Sequence, residues 1–306
     1  MARFDWRVAD TRTAPEEVEG SVRLAAGPLP QVALAYEAPT RTLWLTIRPE
    51  PKPVLTPQLL ESVVRVQRAV MMLWGGEGRY ASCPVRYLAF RGEGAVFNLG
   101  GDLDFFLDCL SAGDREALEG YARLTVECAC RNANGLGGLV VTLATVHGPA
   151  IGGGVDLARS CNVMIAEEGA TFAYPEVRAN HLPVAAVGLL ARRLGAPEAQ
   201  RLLMAGDTRA ADDFHRRGGL DAVVPDGAGE GWLRAYAAAT LPTHAARAAL
   251  FAAFHRRAGS LDDELTHAAE LWTDTLMRLD PQDLYRLQRL ARAQERSLAR
   301  LYRGLA

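Results

Sequence analysis

The stretch GLVVTLATVHGPAIGGGVDLARSC, Gly138 to Cys161, contains the features that decide the fold. It begins with a continuous apolar run rich in β-branched residues, which is typical of a strand buried on both faces of a sheet covered by helices. Three consecutive glycines follow, and a short helix is predicted from Val155 to Ser160. The stretch therefore predicts a strand, a glycine turn and a helix within an α/β protein.

Strands and helices alternate on both sides of this unit, and after about residue 227 the pattern is almost wholly helical. Residues 1–30 are polar and contain three prolines, so we expect a loose N-terminal arm. We therefore predict an α/β core at 31–226, followed by a helical C-terminal portion at 227–306. The predicted strands lie within QVALAYEA, RTLWLTIRP, VRYLAFRG, NVMIAEE and LDAVVPD. The predicted helices include two that are capped by Thr56 and Asp280 and one that runs from about Asp114 to Asn134.

The composition argues against several classes of protein. A chain of 306 residues with 49% apolar residues can bury a substantial core, and its charge of -2 and pI of about 6.3 do not favour a nucleic-acid binder. We find no apolar run long enough for a membrane span and no apolar core of a secretion signal at the N-terminus. The five cysteines are scattered, so we expect reduced thiols, a cytoplasmic location and no metal site.

Two glycine-rich segments each follow a strand and precede a helix. At Gly152–Gly154 the free N–H groups of the helix N-terminus suit an anion or a developing oxyanion, although the glycines also suit a tight turn alone. The second segment, FNLGGDL (97–103), places Gly100 and Gly101 before Asp102, a predicted N-cap. An oxyanion hole needs donors that converge from different segments, and these two segments can provide them.

Two acidic residues accompany the glycines. Asp156 lies two residues after Gly154, and Glu176 follows Tyr174 and Pro175 in a turn-like context fixed by the proline ring. Taken alone, each acid also suits a solvated surface position. Near an oxyanion hole, however, two carboxyl groups can share acid–base work if their environments separate their pKa values.

The ordered set FNLGGDL, HGPAIGGGVDLARSC and YPEV resembles the crotonase (enoyl-CoA hydratase/isomerase) superfamily over roughly Val32 to Asp226. Within it, the sequence around FNLGGDL, YARLTVECACRNANGLG and IAEEG is most similar to that of the diffusible signal factor synthases, which make cis-2-unsaturated fatty acid signals. The resemblance implies a crotonase-like ββα-superhelix core, with C-terminal helices that serve oligomerisation and cover the active site. It also implies no cofactor of the protein's own, because coenzyme A or phosphopantetheine is carried by the substrate.

The resemblance further implies roles for individual residues. Gly101 and Gly153 would donate the two N–H groups that hold the thioester carbonyl and stabilise an enolate. Glu176 would be the principal acid or base, and Asp156 the auxiliary one. The implied substrate contacts are Leu99, Gly100, Gly152, Pro175, Leu182, Pro183 and Val184.

The chain departs from the family's pattern at Asp156, where hydratases have glutamate. The shorter side chain withdraws the carboxylate by about 1.5 Å, and a misplacement of about 1 Å can cost on the order of 100-fold in rate. Three hypotheses stay open. Asp156 activates water after a shift of backbone or substrate, or it leaves Glu176 as the single base of an isomerase or enolate-forming enzyme, or it makes room for a differently shaped substrate.

A second departure lies in HLPVAAVG (181–188), where many relatives have P-G-x-G. The proline is kept, and Val184, Ala185 and Ala186 suit either an acyl-chain pocket or a helix packing face. His181 is a candidate third titrating group, although a lone histidine is more often an ordinary polar or core residue.

The last helix is rich in arginine. We expect its apolar stripe to contact a neighbouring subunit in a homotrimer or hexamer, as the resemblance implies. The arginines suit either a solvated face or the phosphates of a coenzyme A or phosphopantetheine arm. The stripe is formed by Leu284, Leu287, Leu290, Leu298 and Leu301.

We therefore predict an enzyme that acts on an acyl-CoA or acyl-carrier-protein thioester as a hydratase or dehydratase, with thioester hydrolysis as in the signal synthases. The alternatives are an isomerase, a decarboxylase or a C–C bond-forming crotonase of a specialised pathway, and a non-catalytic homologue that binds an acyl thioester. The expected partners are the thioester substrate and an acyl carrier protein, with no nucleic acid and no membrane span.

Overall fold

The structure is a computed structural model that describes residues 14–48, 50–76, 82–256 and 259–303. The strands of these residues form two sheets. They are β1 (Val32–Glu37), β2 (Thr42–Ile47), β3 (Tyr87–Gly92), β4 (Val141–Val146), β5 (Pro149–Ile151), β6 (Val163–Glu167), β7 (Thr171–Ala173), β8 (Arg209–Ala210) and β9 (Ala222–Val224). The larger sheet has the order β1-β2-β3-β4-β6-β9, and only its β1–β2 pair is antiparallel. The smaller has the order β5-β7-β8.

Helices connect these strands and make up the C-terminal part, as the sequence predicted. Within the described residues, none of them is both long and apolar enough to cross a membrane. Two short 3-10 helices cover Pro175–Ala179 and Leu241–Thr243. The α-helices are α1 (Pro15–Ala26), α2 (Pro57–Trp74), α3 (Leu103–Ala112), α4 (Arg115–Ala133), α5 (Gly135–Gly138), α6 (Gly153–Arg159), α7 (Ala186–Leu194), α8 (Ala196–Ala205), α9 (Ala211–Arg216), α10 (Gly229–Thr240), α11 (His244–Arg256), α12 (Leu261–Leu276) and α13 (Pro281–Arg303).

The larger sheet is covered on both faces, because every residue of β2 and β4 is buried. Successive side chains of a strand point to opposite faces, and they enter two different cores. Leu43 and Leu45 pack in the core that contains α2 and α4, whereas Trp44 packs in the core that contains Leu233 of α10. The prediction of a strand buried on both faces is therefore confirmed for β4.

Side-chain caps fix where the helices begin. Thr56 Oγ1 accepts a hydrogen bond from the Leu59 N–H at 3.0 Å, and Asp114 Oδ1 accepts one from the Ala117 N–H at 3.0 Å. Asp280 caps α13 in the same way. These caps satisfy N–H groups that have no partner within the helix. Thr56 and Asp280 were predicted as caps from the sequence, and Asp114 as the approximate start of a helix.

The expectation of a loose arm is wrong for part of residues 1–30. Pro15–Ala26 form helix α1, which packs against α2 and β1. Its buried residues Val18, Val22 and Ala26 recur every four positions, which places them on one face of a helix. Residues 1–13 of the predicted arm lie outside the described residues.

The apolar stripe of α13 packs within its own chain. The helix contacts α3 and the 3-10 helix at Pro175–Ala179. Leu287 is fully buried there, so it has no surface left for a subunit contact, and Leu290 packs against the same core while it stays partly exposed. The side chains of Leu298 and Leu301 lie outside the described residues, and the oligomeric state stays a prediction.

Candidate active site

The two glycine segments meet because β3 and β4 are parallel neighbours. The chain leaves both strands at the same edge of the sheet, which is where open α/β sheets bind ligands. Asn98 and Ala150 form an isolated bridge there, and the Ile151 N–H donates to the Asn98 carbonyl at 2.9 Å. The bridge brings the segment after β3 against the glycines that open α6.

The N–H of Gly101 is free to bind a ligand. The carbonyl of the same peptide, that of Gly100, accepts a hydrogen bond from the Leu55 N–H at 2.7 Å. A trans peptide directs its N–H and C=O to opposite sides, so the Gly101 N–H points away from the Leu55 nitrogen. None of the described residues accepts a hydrogen bond from it.

The N–H of Gly153 is the first of α6 and has no acceptor within the helix. The Gly152 carbonyl accepts from the N–H groups of Val155 and Asp156 at 2.8 and 3.1 Å, which fixes the orientation of the peptide that precedes Gly153. A Cβ built on Gly153 would lie 3.8 Å from the Gly101 nitrogen. The two predicted donors therefore lie side by side.

At each of the three glycines, a different contact excludes a side chain. Gly152 has φ +50°, and a Cβ there would overlap the carboxylate of Glu176. A Cβ on Gly153 would lie 2.9 Å from Cδ1 of Leu55, which precedes α2, and one on Gly154 would lie 2.5 Å from the Asn98 carbonyl oxygen. The run GGG is thus more than a flexible turn, because two side chains and a neighbouring backbone occupy the space of the missing Cβ atoms.

Asp156 is held firmly in the interior. Its side chain is only 2% exposed, the Tyr174 hydroxyl donates to Oδ1 at 2.8 Å, and the Ala185 N–H donates to Oδ2 at 3.3 Å. Burial raises the pKa of Asp156 to about 7, although both hydrogen bonds favour the ionised form. The carboxyl group therefore titrates near neutral pH in a fixed position.

Glu176 is held by fewer hydrogen bonds than Asp156. It follows Pro175 in the first turn of the 3-10 helix, and Oε1 lies against Gly152. Its Oε2 is buried and has no hydrogen-bond partner among the described residues. Burial, and to a smaller extent the charge of Asp156, raises the pKa of Glu176 to about 8. One of its oxygens is thus available to a ligand.

A cavity of about 230 Å³ joins these groups, and most of its lining is apolar. Every site residue predicted from the sequence lines it, although none of the predicted roles is tested by this placement. Such a cavity, apolar with a few converging polar groups, is typical of a small-molecule site. The predicted residues are Leu99, Gly100, Gly101, Gly152, Gly153, Asp156, Pro175, Glu176, Leu182, Pro183 and Val184.

The segment after the 3-10 helix fulfils the expectations only in part. Val184 lines the cavity, but Ala185 and Ala186 are buried outside its lining, and the Ala185 N–H supports Asp156 instead. His181 lines the cavity, and its Nε2 is buried without a partner among the described residues. Burial lowers the pKa of His181 to about 4, so the imidazole is neutral at physiological pH.

Sequence reasoning missed several residues of the site. Tyr174, the partner of Asp156, was noticed only as part of a turn. Phe106, Tyr121 and Trp272 line the cavity from α3, α4 and α12, with the ring centroids of Phe106 and Tyr121 4.9 Å apart. Gln294 of α13 lines it as well. No local pattern marks these residues, because they come together only through the packing of distant helices.

Converging backbone donors beside two coupled carboxyl groups define a class of site that can stabilise an oxyanion while a proton is moved. The family model described as Enoyl-CoA hydratase/isomerase matches residues 91–280. The chain belongs to this family.

Relatives of this chain agree with that assignment. A probable enoyl-CoA hydratase of Mycobacterium tuberculosis is 39% identical over 85 residues, which are 28% of this chain and 33% of the relative. The mevalonyl-coenzyme A hydratase of Beauveria bassiana is 29% identical over 147 residues, or 47% and 52% of the two chains. The matched regions thus span only a third to a half of these curated relatives.

Solved structures show the same fold. The enoyl-CoA hydratase from Bacillus halodurans aligns with a TM-score of 0.72 at 21% identity, over 84% of this chain and 99% of that chain. The predicted crotonase-like α/β core with C-terminal helices is therefore confirmed.

Proposed function

We propose that this protein is a hydratase that adds water across the α,β double bond of an enoyl-CoA thioester, and that it catalyses the reverse dehydration. The observation that carries the proposal is the placement of Asp156 and Glu176, with raised pKa values, in one cavity with the converging N–H groups of Gly101 and Gly153. The names of the relatives support an acyl-CoA substrate.

The reaction assigns one task to each group. The N–H groups of Gly101 and Gly153 bind the thioester oxygen and stabilise the enolate. Asp156 accepts a proton from the water that attacks the β-carbon, and Glu176 delivers a proton to the α-carbon. Glu176 lies against Gly152, next to the donor Gly153, so it is the acid beside the carbonyl and the adjacent α-carbon. The two acids together hold one proton before and after turnover.

The pKa order fits this division of work. Burial raises the pKa of Asp156 to about 7 and that of Glu176 to about 8, so between these values the pair holds about one proton, which the proposed mechanism places on Glu176. Activity is expected to be greatest in that range and to decline on either side. Protonation of Asp156 removes the base, and ionisation of Glu176 removes the acid.

Isomerisation of the double bond is a second candidate, favoured by one observation. Both oxygens of Asp156 accept hydrogen bonds from the protein, whereas Glu176 has an oxygen without a partner in the described residues. A single carboxyl group that removes a proton at one carbon and returns it at another needs no water. In that case Asp156 would only hold the site in shape.

Product analysis separates these functions. The purified protein is incubated with crotonyl-CoA and with longer 2-enoyl and 3-hydroxyacyl thioesters, and the products are identified by mass spectrometry. We expect the mass of the substrate to change by one water. We expect this activity to be lost in Glu176→Gln and in Asp156→Asn. A product of unchanged mass with a moved double bond supports the isomerase, and loss of carbon dioxide identifies a decarboxylase. Tight binding of every thioester without turnover would contradict catalysis.

The finer expectations are tested in the same assay. Thioester hydrolysis, which the resemblance to the signal synthases implies, releases a free thiol that a thiol reagent detects. Replacing coenzyme A by an acyl carrier protein as the carrier shows which one the protein uses. Both remain predictions.

A further inference from the structure

Helix α13 reaches the oxyanion segment through one side chain. The amide nitrogen of Gln294 donates to the carbonyl oxygen of Leu99 at 2.8 Å and to that of Gly101 at 3.3 Å. Carbonyl oxygens only accept hydrogen bonds, so the amide nitrogen must face them. A residue almost two hundred positions away in the sequence thus binds both ends of the segment that presents the Gly101 N–H.

The contacts fix three successive carbonyls. The Leu55 N–H holds the carbonyl of Gly100, and Gln294 holds those of Leu99 and Gly101 on either side of it. The peptide that carries the Gly101 N–H therefore lies between two peptides anchored by the same amide. Gly100 has φ +92°, and two adjacent glycines resist rotation poorly, so the direction of this N–H depends on such anchors.

The other end of α13 is attached to the segment of Glu176. The Asn180 side-chain amide donates to Asp283 Oδ2 at 2.7 Å, and Arg286 donates to Asp283 Oδ1 at 2.7 Å. Asn180 terminates the 3-10 helix that carries Glu176. The helix therefore connects the segment of the acid with the segment of the oxyanion donor.

We propose that Gln294 is a positioning residue for the oxyanion hole, which holds the Gly101 N–H in the direction of the substrate carbonyl. The inference rests on the proposed function of Gly101 and acts through the backbone of its segment. Loss of the amide leaves the carbonyls of Leu99 and Gly101 without this donor, so the peptide between them is held by the Leu55 N–H alone and can tilt about that hydrogen bond. The consequence is weaker stabilisation of the enolate, and hence a lower kcat, with little change in ground-state binding.

The test compares two glutamines of the same helix. Gln294→Met removes the donor and keeps the length, and Gln288→Met is the matched control because Gln288 is exposed. We expect kcat for hydration to fall about 10- to 100-fold in Gln294→Met, with KM changed less than about 3-fold. The control is expected to match the wild type in both constants.

An infrared measurement reports on the donor directly. A saturated acyl-CoA labelled with carbon-13 at the thioester carbonyl is bound to each protein, and the shift of its stretching frequency is recorded. We expect a lowered frequency in the wild type and in Gln288→Met, and a smaller shift in Gln294→Met. Gln294→Glu keeps the shape and has no donor once its carboxyl group is ionised, so its spectrum is recorded above the pKa of that group, where the same smaller shift is expected. The shifted band comes only from ligand bound to folded protein, and unbound ligand absorbs at its frequency in buffer, so reduced stability does not obscure the comparison.

The outcomes separate this inference from the proposed function. If the wild type shows the carbonyl shift but does not hydrate the substrate, the proposed hydratase function is wrong. The comparison of the glutamine variants still tests the role of Gln294 in that case. An unchanged carbonyl frequency in both Gln294 variants would overturn the positioning role, whatever their kcat.

Discussion

Asp156 and Glu176 line the same cavity, but their surroundings differ. Asp156 lies on α6 with both oxygens bound by the protein, whereas Glu176 lies on a 3-10 helix and keeps one buried oxygen without a partner among the described residues. A carboxyl group held from two sides keeps its position, and one with a free oxygen can exchange a proton with a ligand. Each carboxylate oxygen has two lone pairs, so an oxygen of Asp156 that accepts one hydrogen bond can still accept a proton. In the proposed hydration, Asp156 takes the proton of the attacking water, and Glu176 moves the α-proton.

The run YPE produces this difference. Tyr174 donates to Asp156, and Glu176, two positions later, lies against Gly152. Pro175 between them opens the 3-10 helix, so the two side chains are directed to different parts of the site. Three consecutive residues thus contain Tyr174, which binds Asp156, and the second acid, Glu176.

The largest effect is expected for Glu176→Gln, which keeps the shape and removes the titrating group. Hydration should fall by on the order of 1000-fold or more, because the proposed reaction gives the transfer of the α-proton to Glu176 alone. Glu168→Gln is the control, since Glu168 is exposed. Steady-state kinetics with crotonyl-CoA measures both, and equal activity of the two variants would remove Glu176 from the mechanism.

Gly152→Ala is expected to lower kcat by roughly 100-fold. The added Cβ would overlap the Glu176 carboxylate, and φ +50° is unfavourable for alanine, so Glu176 must move. Gly20→Ala serves as the control because a Cβ there meets nothing within 4 Å. A Gly152→Ala protein with normal kcat would show that the position of Glu176 does not matter.

Tyr174→Phe is expected to have a moderate effect that depends on pH. The hydroxyl lowers the pKa of Asp156, so its loss raises that pKa further above its ordinary value. The acid limb of the kcat/KM profile should shift to higher pH, with a loss of about 10-fold at neutral pH and less above it. An unshifted acid limb would mean that Asp156 does not set it.

The smallest effect concerns stability. Glu176 has a raised pKa, so its stabilising contribution is complete below about pH 4.5 and is lost as the pH rises toward 8. Glutamine is neutral throughout and avoids this loss. The Tm of Glu176→Gln should therefore exceed that of the wild type by a few degrees at pH 9, with a smaller difference at pH 5. A constant difference would contradict the burial of an ionisable carboxyl group.

Much of the fold follows from local patterns in the sequence. The apolar run at Val141–Val146 predicted a strand buried on both faces, and Thr56 and Asp114 predicted where two helices begin. Helix α1 was missed because Pro15, Pro28 and Pro30 suggested an arm, although Val18 and Val22 share one helical face. A four-residue apolar period in a short polar segment was the signal that could have found it.

The candidate site was predictable where its residues cluster in sequence. Glycines and acids at strand ends are visible in one short stretch each, and the structure gathers them. The role of Gln294 was not predictable, because nothing near it in the sequence indicates that α13 returns to Leu99 and Gly101. The hydrogen bond from Tyr174 to Asp156 depends in the same way on tertiary packing.

Exchange of the α-protons of a saturated acyl-CoA in heavy water tests the division of work between the two acids most directly. Exchange requires the oxyanion hole and a base at the α-carbon, but no attack by water at the β-carbon. We predict that Asp156→Asn loses hydration and retains exchange within about 10-fold of the wild type, whereas Glu176→Gln loses both. Equal loss of exchange in the two variants, measured by nuclear magnetic resonance, would contradict the separate roles of Asp156 and Glu176.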